Sequence, residues 1–142
     1  MVSNKIKKII EAALAEDIGT GDITTQATVS RKKKGRAQAV AKDDFVIAGV
    51  DVFAETFQLL DKSIKIKKLI NDGCRAKKGD VIVEVSGSLS NILQAERVAL
   101  NLFQRMCGIA TLTAKYVKAV RGNTAHPLKQ IQRNAFGLQN IG

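Results

Sequence analysis

The chain has 142 residues, 45% of them hydrophobic and 25% charged, which fits one ordinary soluble domain with a real core and excludes a disordered chain. It has no apolar run long enough to cross a bilayer, and its N-terminus interleaves lysine with apolar residues, unlike a signal peptide, so we expect a cytoplasmic protein. Cys74 and Cys107 lack metal-type spacing and a histidine companion, so we expect neither a metal site nor a cysteine nucleophile.

The formal net charge of +10 suggests an anionic partner, and the densest basic run is RKKKGR at 31–36. Nucleic-acid binding would require aromatic side chains interleaved with such a run as a stacking platform, and this run has none. We therefore predict no nucleic-acid partner and interpret the run as a solvated loop. A small, multiply charged anion would also benefit from the positive field.

The first helix is predicted over residues 4–16, with Ser3 as its candidate N-cap and apolar residues at helical spacing. It should end before the glycine pair Gly19 and Gly21. The segment IGTGD at 18–22 could form a phosphate cradle, but no strand precedes it and the lysine and hydroxyl of a phosphate loop are missing. We interpret it as a structural turn.

The middle of the chain predicts strands around one helix. Short strands are expected at 35–41 and 45–49, a helix at 50–60, a half-exposed strand at 64–70 and a buried strand at 81–85.

Two further helices are predicted at 89–106 and 109–120, with Gly108 between them. The order helix, strands, helix, strands, helices indicates an α+β fold. It is expected to be an N-terminal α/β sandwich domain, in which helices cover a mostly antiparallel sheet, followed by the two helices.

The helix at 89–106 places a carboxylate, Glu96, within an apolar stripe, where burial would cost several kcal/mol without a partner. Arg97 points about 100° away, into a stripe of uncharged polar side chains. The pattern leaves two interpretations open. One is a core helix with a solvated amide face, and the other is a helix that presents Arg97 to a ligand.

Three segments together resemble a known family: EDIGTGDITT at 16–25, ERVALNLFQRM at 96–106 and GIAT at 108–111. In this order they are similar to quinolinate phosphoribosyltransferase, the decarboxylating enzyme of NAD biosynthesis, over about residues 6–122. A related molybdenum-associated subfamily shares much of the pattern. The resemblance implies an N-terminal sandwich followed by an incomplete α/β barrel that holds most of the active site.

The resemblance implies that the full enzyme joins quinolinate to phosphoribosyl pyrophosphate with magnesium, releasing pyrophosphate and carbon dioxide and leaving nicotinate mononucleotide. Arg97 matches the family arginine that reaches a quinolinate carboxylate in the partner subunit's barrel, so we expect a homodimer or a larger homo-oligomer. Glu96 would support the helix. Arg105 is a weaker substrate-binding candidate, because at a helix end near Gly108 it could instead stabilise terminal carbonyls. No catalytic residue, metal ligand or cofactor is assigned to this chain itself.

Beyond Gly122 the resemblance fails. The family continues with a barrel strand ending in Asp-Thr-Arg-Lys-Thr, which residues 123–142 do not match, and these 20 residues fall far short of the roughly 200 of a barrel. We therefore assign 1–122 to the N-terminal domain with its linking helices and 123–142 to a divergent tail, left by an altered or shortened gene or by deliberate isolation of the domain. The chain alone is expected to be inactive. The alternative is a non-catalytic sandwich module that binds a protein partner.

Overall fold

Helices and antiparallel strands alternate in the computed structural model, which describes residues 2–21 and 32–121. The elements in these ranges are α1 (Asn4–Gly21), β1 (Lys34–Val40), β2 (Phe45–Val46), α2 (Val50–Leu60), β3 (Lys65–Lys68), β4 (Arg75–Ala76), β5 (Val81–Ser88) and α3 (Leu89–Arg121). Helix α2 has the predicted bounds. Residues 22–25 of the first motif and the tail assigned to 123–142 lie outside the described residues.

The larger sheet has the strand order β1-β5-β3, and both of its pairings are antiparallel. Val85 in the central strand β5 pairs with Ala37 on one side and with Ile66 on the other. Exposed and half-buried residues alternate along β1, as expected for a strand with one face in water. Strands β2 and β4 form a second antiparallel ladder. The predicted α+β sandwich with a mostly antiparallel sheet is confirmed.

The hydrophobic core lies between the larger sheet and helices α2 and α3. Phe53 and Phe57 of α2 have ring centroids 5.1 Å apart, and Phe53 lies 5.3 Å from Phe103 of α3. Strand β5 contributes Val83 and Val85, which are at most 2% exposed. Each fully buried side chain of this size contributes about 1.5–3 kcal/mol, so the cluster holds α3 firmly against the sheet.

Helix α1 is longer than predicted and runs past Glu16 to Gly21. Gly19 therefore lies inside the helix, and a Cβ added there would meet nothing within 4 Å. A glycine in a helix interior costs only about 1 kcal/mol relative to alanine, and the contacts of α1 with α2 and α3 offset that penalty. The interpretation of 18–22 as a turn is wrong as far as Gly21.

The two helices predicted at 89–106 and 109–120 are one continuous helix, α3. Gly108 is exposed with open space around it, and its helix penalty is only about 1 kcal/mol. The helix is fixed on both sides of that glycine, because the Cys107 thiol and the Thr111 hydroxyl both bind the backbone of residues 46–48. These contacts stabilise the helix at Gly108, where the sequence predicts a break between two helices.

The strand predicted at 45–49 ends at Val46, because Gly49 adopts a φ of 86° just before helix α2. Asp72 caps that helix, since its carboxylate accepts hydrogen bonds from Gly49 N and Val50 N, each at 3.0 Å. A Cβ on Gly49 would lie 2.3 Å from Cε of Met106 on α3. Glycine is therefore required by the backbone, and a side chain at this position would also displace the flexible end of Met106.

Gly49→Ala should lower the free energy of unfolding by about 2–3 kcal/mol, because backbone strain of about 1–2 kcal/mol adds to about 1 kcal/mol for displacing the flexible end of the Met106 side chain. Gly73→Ala is the matched control. Gly73 has a φ of 85° but open space around it, so only the backbone strain should be lost there. Urea unfolding measures both variants, and equal losses would show that the contact with Met106 does not limit the residue at 49.

Candidate functional site

Arg97 lies in the first half of α3 and extends into solvent, with 73% of its side chain exposed. Its Nη1 lies 3.5 Å from Oδ1 of Asp17 on α1, whose side chain is 20% exposed. The prediction that only uncharged amides surround Arg97 is wrong, because α1 brings a carboxylate to it. Sequence reasoning missed Asp17 as a site residue, although it belongs to the first of the motifs, because the contact joins helices far apart in sequence.

The polar stripe that contains Arg97 is buried in the first turns of α3 and exposed further along the helix. Ser90 and Gln94 are buried, at 1% and 8% exposure, whereas Asn101 and Gln104 are exposed. The first turns of α3 are enclosed because they contact both the sheet and the other helices. On this side the helix reaches solvent only from Arg97 onward, so Arg97 is the first residue of the stripe that a ligand can approach.

Glu96 is exposed, so the prediction that it is buried and anchors the helix is wrong. Glu96 lies at the edge of the contact between α3 and β1, where the small side chains of Ala37 and Ala39 leave a narrow gap. The carboxylate can therefore reach water, even though Ala95 beside it is fully buried. Within residues 2–21 and 32–121 no hydrogen bond or ion pair reaches it.

Two openings border this part of α3. A hollow of about 270 Å³ is lined by Asp17, Leu93, Glu96, Arg97 and Leu100. A groove of about 410 Å³ between β1 and α3 shares Glu96 and Leu100 with it, and is also lined by Gln38, Lys42, Phe45, Phe103 and Gln104, among others. Three of the five residues that line the hollow are charged, whereas the groove has mainly apolar walls with a few charged and polar groups, which is typical of small-ligand sites.

Arg105 is exposed on the same helix as Arg97, but it does not stand at a helix end. Helix α3 continues to Arg121, so the prediction that Arg105 could stabilise terminal carbonyls is wrong. Its part in substrate binding stays a prediction.

The start of α3 is fixed by a carboxylate at the end of α2. Asn91 Nδ2 donates to Asp61 Oδ2 at 2.8 Å, and the hydroxyl and the backbone N–H of Ser63 donate to Asp61 Oδ1 at 2.6 and 2.9 Å. Hydrogen bonds from the Ser63 hydroxyl, and then from Asn91, favour the ionised carboxylate and lower the pKa of Asp61.

The middle of α3 is fixed by Cys107 and Thr111. Cys107 Sγ lies 3.4 Å from Ala48 N, which donates to it, and 3.4 Å from Ala48 O, which accepts from it. Burial raises the pKa of Cys107, so the thiol stays protonated and packs as part of the core. Thr111 Oγ1 accepts from Val46 N at 2.9 Å and donates to Cys107 O at 2.7 Å. The GIAT segment thus docks α3 on strand β2.

The described part of the chain contains no group of three or more histidine, cysteine, aspartate or glutamate side chains that could hold a metal ion. No helix in it is both long and apolar enough to cross a membrane. The hollow combines the Arg97 guanidinium with the carboxylates of Asp17 and Glu96, and the groove combines Lys42 with the carboxylates of Asp43 and Glu96. The chemistry available there is therefore recognition by charge and hydrogen bonding.

The fold and the site define an α+β sandwich domain whose long helix presents an arginine at an open hollow. A sequence profile of the quinolinate phosphoribosyl transferase N-terminal domain matches residues 22–107. The chain belongs to this family.

Relatives from plants and bacteria agree with this assignment. Mitochondrial quinolinate phosphoribosyltransferase (decarboxylating) 2b of Nicotiana tabacum is 39% identical over 139 residues, or 96% of this chain and 38% of the relative. The probable nicotinate-nucleotide pyrophosphorylase (carboxylating) of Synechocystis is 44% identical over 107 residues, or 75% of this chain and 36% of the relative. The tobacco alignment extends past Gly122, and the assignment of 123–142 to a divergent tail stays a prediction.

A solved structure shares the fold. NadC from Streptococcus pyogenes matches with a TM-score of 0.81 and 35% identity, over 87% of this chain and 44% of that one. The chain therefore spans less than half the length of the relatives that it matches. The long helix and the antiparallel sheet are features of the N-terminal part of NadC, and the described residues contain no barrel.

The lowered pKa of Asp61 predicts a pH-dependent contribution to the stability of α3. Because the pKa is lower in the folded chain than in the unfolded one, the stabilisation is complete above the ordinary aspartate pKa of about 3.9 and is lost as the pH falls through the folded value. Asp61→Asn should cost about 1 kcal/mol at neutral pH, and its difference from the parent chain should shrink in acid.

Urea unfolding at a series of pH values between neutral and about 3 measures this difference. Glu11→Gln, at an exposed position of α1, is the control and should give a curve parallel to that of the parent chain. A constant difference between Asp61→Asn and the parent chain at every pH would contradict the assignment.

Proposed function

We propose that the chain forms the N-terminal domain of a quinolinate phosphoribosyltransferase, which joins quinolinate to phosphoribosyl pyrophosphate and releases pyrophosphate and carbon dioxide, leaving nicotinate mononucleotide. The family supports the domain, and the names of the relatives support the reaction. The observation that carries the proposal is the position of Arg97, an exposed guanidinium on a firmly packed helix at the edge of an open hollow.

A guanidinium suits a pyridine dicarboxylate. Its planar fork can donate two parallel hydrogen bonds to one carboxylate, and each charge-assisted bond contributes about 1.5–3 kcal/mol. The exposure of the Arg97 side chain supports a contact made beyond the surface of its own domain. We assign it to a quinolinate carboxylate in a site built mainly by the partner subunit of a homodimer or larger homo-oligomer. Arg105, about two turns further along α3, is the weaker second candidate.

The bond-making step is assigned to the part of the enzyme outside this domain. The relatives are more than twice as long as the chain, which leaves room for the α/β barrel that the family resemblance implies. Magnesium would enter with phosphoribosyl pyrophosphate. The described residues do not fit a magnesium site, because they gather no group of carboxylates. We therefore assign no catalytic step to the described residues.

Arg97→Ala should raise the quinolinate KM, or lower kcat/KM, by roughly 10- to 100-fold, because charge-assisted hydrogen bonds made to the substrate are lost. The enzyme for this test joins residues 1–121 of this chain to the remainder of S. pyogenes NadC. Arg36→Ala is the matched control, because Arg36 is 76% exposed and lies 3.6 Å from Glu84 in a similar ion pair on the sheet. Unchanged kinetics in Arg97→Ala, with the fold intact by circular dichroism, would contradict the proposed function.

The chain of residues 1–142 by itself should form no measurable nicotinate mononucleotide from quinolinate, phosphoribosyl pyrophosphate and magnesium. The reason is that the described residues present the Arg97 guanidinium but gather no group of three or more acidic side chains that could hold magnesium. Chromatography of the reaction mixture checks this, with the fused enzyme as the positive control. Turnover by the chain alone would overturn the assignment of the chemistry to the barrel.

A further inference from the structure

The ion pair between Asp17 and Arg97 is asymmetric. The Asp17 side chain is 20% exposed, whereas the Arg97 side chain is 73% exposed, and the two approach to 3.5 Å through a single Nη1–Oδ1 contact. The acid is therefore the confined partner, held where α1 packs against α3, and the guanidinium is the group that extends outward. Both residues line the same hollow of about 270 Å³.

We propose that Asp17 is a positioning residue, which holds the Arg97 guanidinium in the direction that a substrate carboxylate requires. This inference rests on the proposed function, because it assumes that Arg97 contacts quinolinate. It assigns a role to Asp17, a residue of the first motif, EDIGTGDITT, that packing alone does not explain, since Asp17 makes an ion pair with α3.

The geometry leaves Arg97 able to bind. The contact between Asp17 and Arg97 joins Oδ1 to Nη1 at 3.5 Å, and a guanidinium has five N–H donors, so a side chain that is 73% exposed keeps donors for a ligand. An arginine side chain has large rotamer freedom, and a carboxylate fixed on a neighbouring helix restricts that freedom before the substrate arrives. Asp17 therefore prepares the guanidinium for a bidentate contact with a carboxylate.

Asp17 also has an opposite effect on substrate binding, because it places a negative charge beside the substrate carboxylate and repels it. The pair lies at the surface, where water and salt screen charges strongly. The 3.5 Å contact that orients the guanidinium is much shorter than the screening length of about 8–10 Å, so salt weakens it less than the longer-range repulsion of the substrate. We therefore expect the positioning effect to exceed the electrostatic competition.

The first experiment measures the Arg97 side chain in the full 142-residue chain by NMR relaxation of its Nε–Hε group. In Asp17→Asn the order parameter of that group should fall, and in Asp17→Glu, which keeps the charge, it should be partly restored. Glu84→Gln is the matched control, because Glu84 is 24% exposed and pairs with Arg36 at a similar distance. It should leave Arg97 unchanged. An unchanged order parameter in Asp17→Asn would overturn the positioning role.

The second experiment measures kinetics in the fused enzyme. Asp17→Asn should raise the quinolinate KM about fivefold, the upper range for an exposed ion pair, with the KM for phosphoribosyl pyrophosphate unchanged. The increase should shrink as salt weakens the ion pair of the parent protein, but it should not change sign. A lower quinolinate KM that returns to the parent value at high salt would show electrostatic competition and overturn the inference. If Arg97→Ala raises the quinolinate KM and Asp17→Asn does not, this inference alone fails. If Arg97→Ala has no effect, the proposed function fails as well.

Discussion

The rigid placement of helix α3 is the constraint on which the rest of the structure depends. Its first half is held by buried aromatic and aliphatic packing against α2 and β5. Its middle is held by hydrogen bonds that Val46 N of β2 donates to Thr111 and Ala48 N donates to Cys107. Apolar packing fixes how close the helix lies, whereas the directed hydrogen bonds fix its rotation and register. The direction in which Arg97 points follows from both.

Helix α3 approaches the start of α2 closely, and this approach restricts the residue at position 49. Gly49 is the residue over which Met106 packs, and the same glycine supplies the left-handed backbone that starts α2. The N–H groups that this geometry leaves open are satisfied by Asp72, from a loop more than twenty residues away. The start of α2 beside Met106 therefore depends on Gly49, on its left-handed backbone and on the cap that Asp72 supplies.

Helix α3 carries two groups of residues, one that packs against the rest of the domain and one that faces solvent. Residues facing the sheet and the β2 segment hold α3, while Arg97, Asn101 and Gln104 face solvent beside the hollow and groove. A binding group on a helix anchored at several points is positioned more accurately than one on a loop, because the helix cannot bend without breaking those anchors. The domain is thus suited to presenting a side chain to another part of an enzyme.

The sequence by itself determined the α+β class, the alternation of helices with groups of strands, the bounds of α2 and the family, because hydrophobic periodicity and local motifs are properties of short segments. It also singled out Arg97 on a helix. Only the tertiary structure decided that Gly108 lies inside one helix, that Glu96 is exposed and that Asp17 meets Arg97. Each of these depends on what a distant segment places beside the residue. Contacts with residues 46–48 carry the helix across Gly108, the small side chains of β1 open the space at Glu96, and the packing of α1 on α3 brings the carboxylate to Arg97.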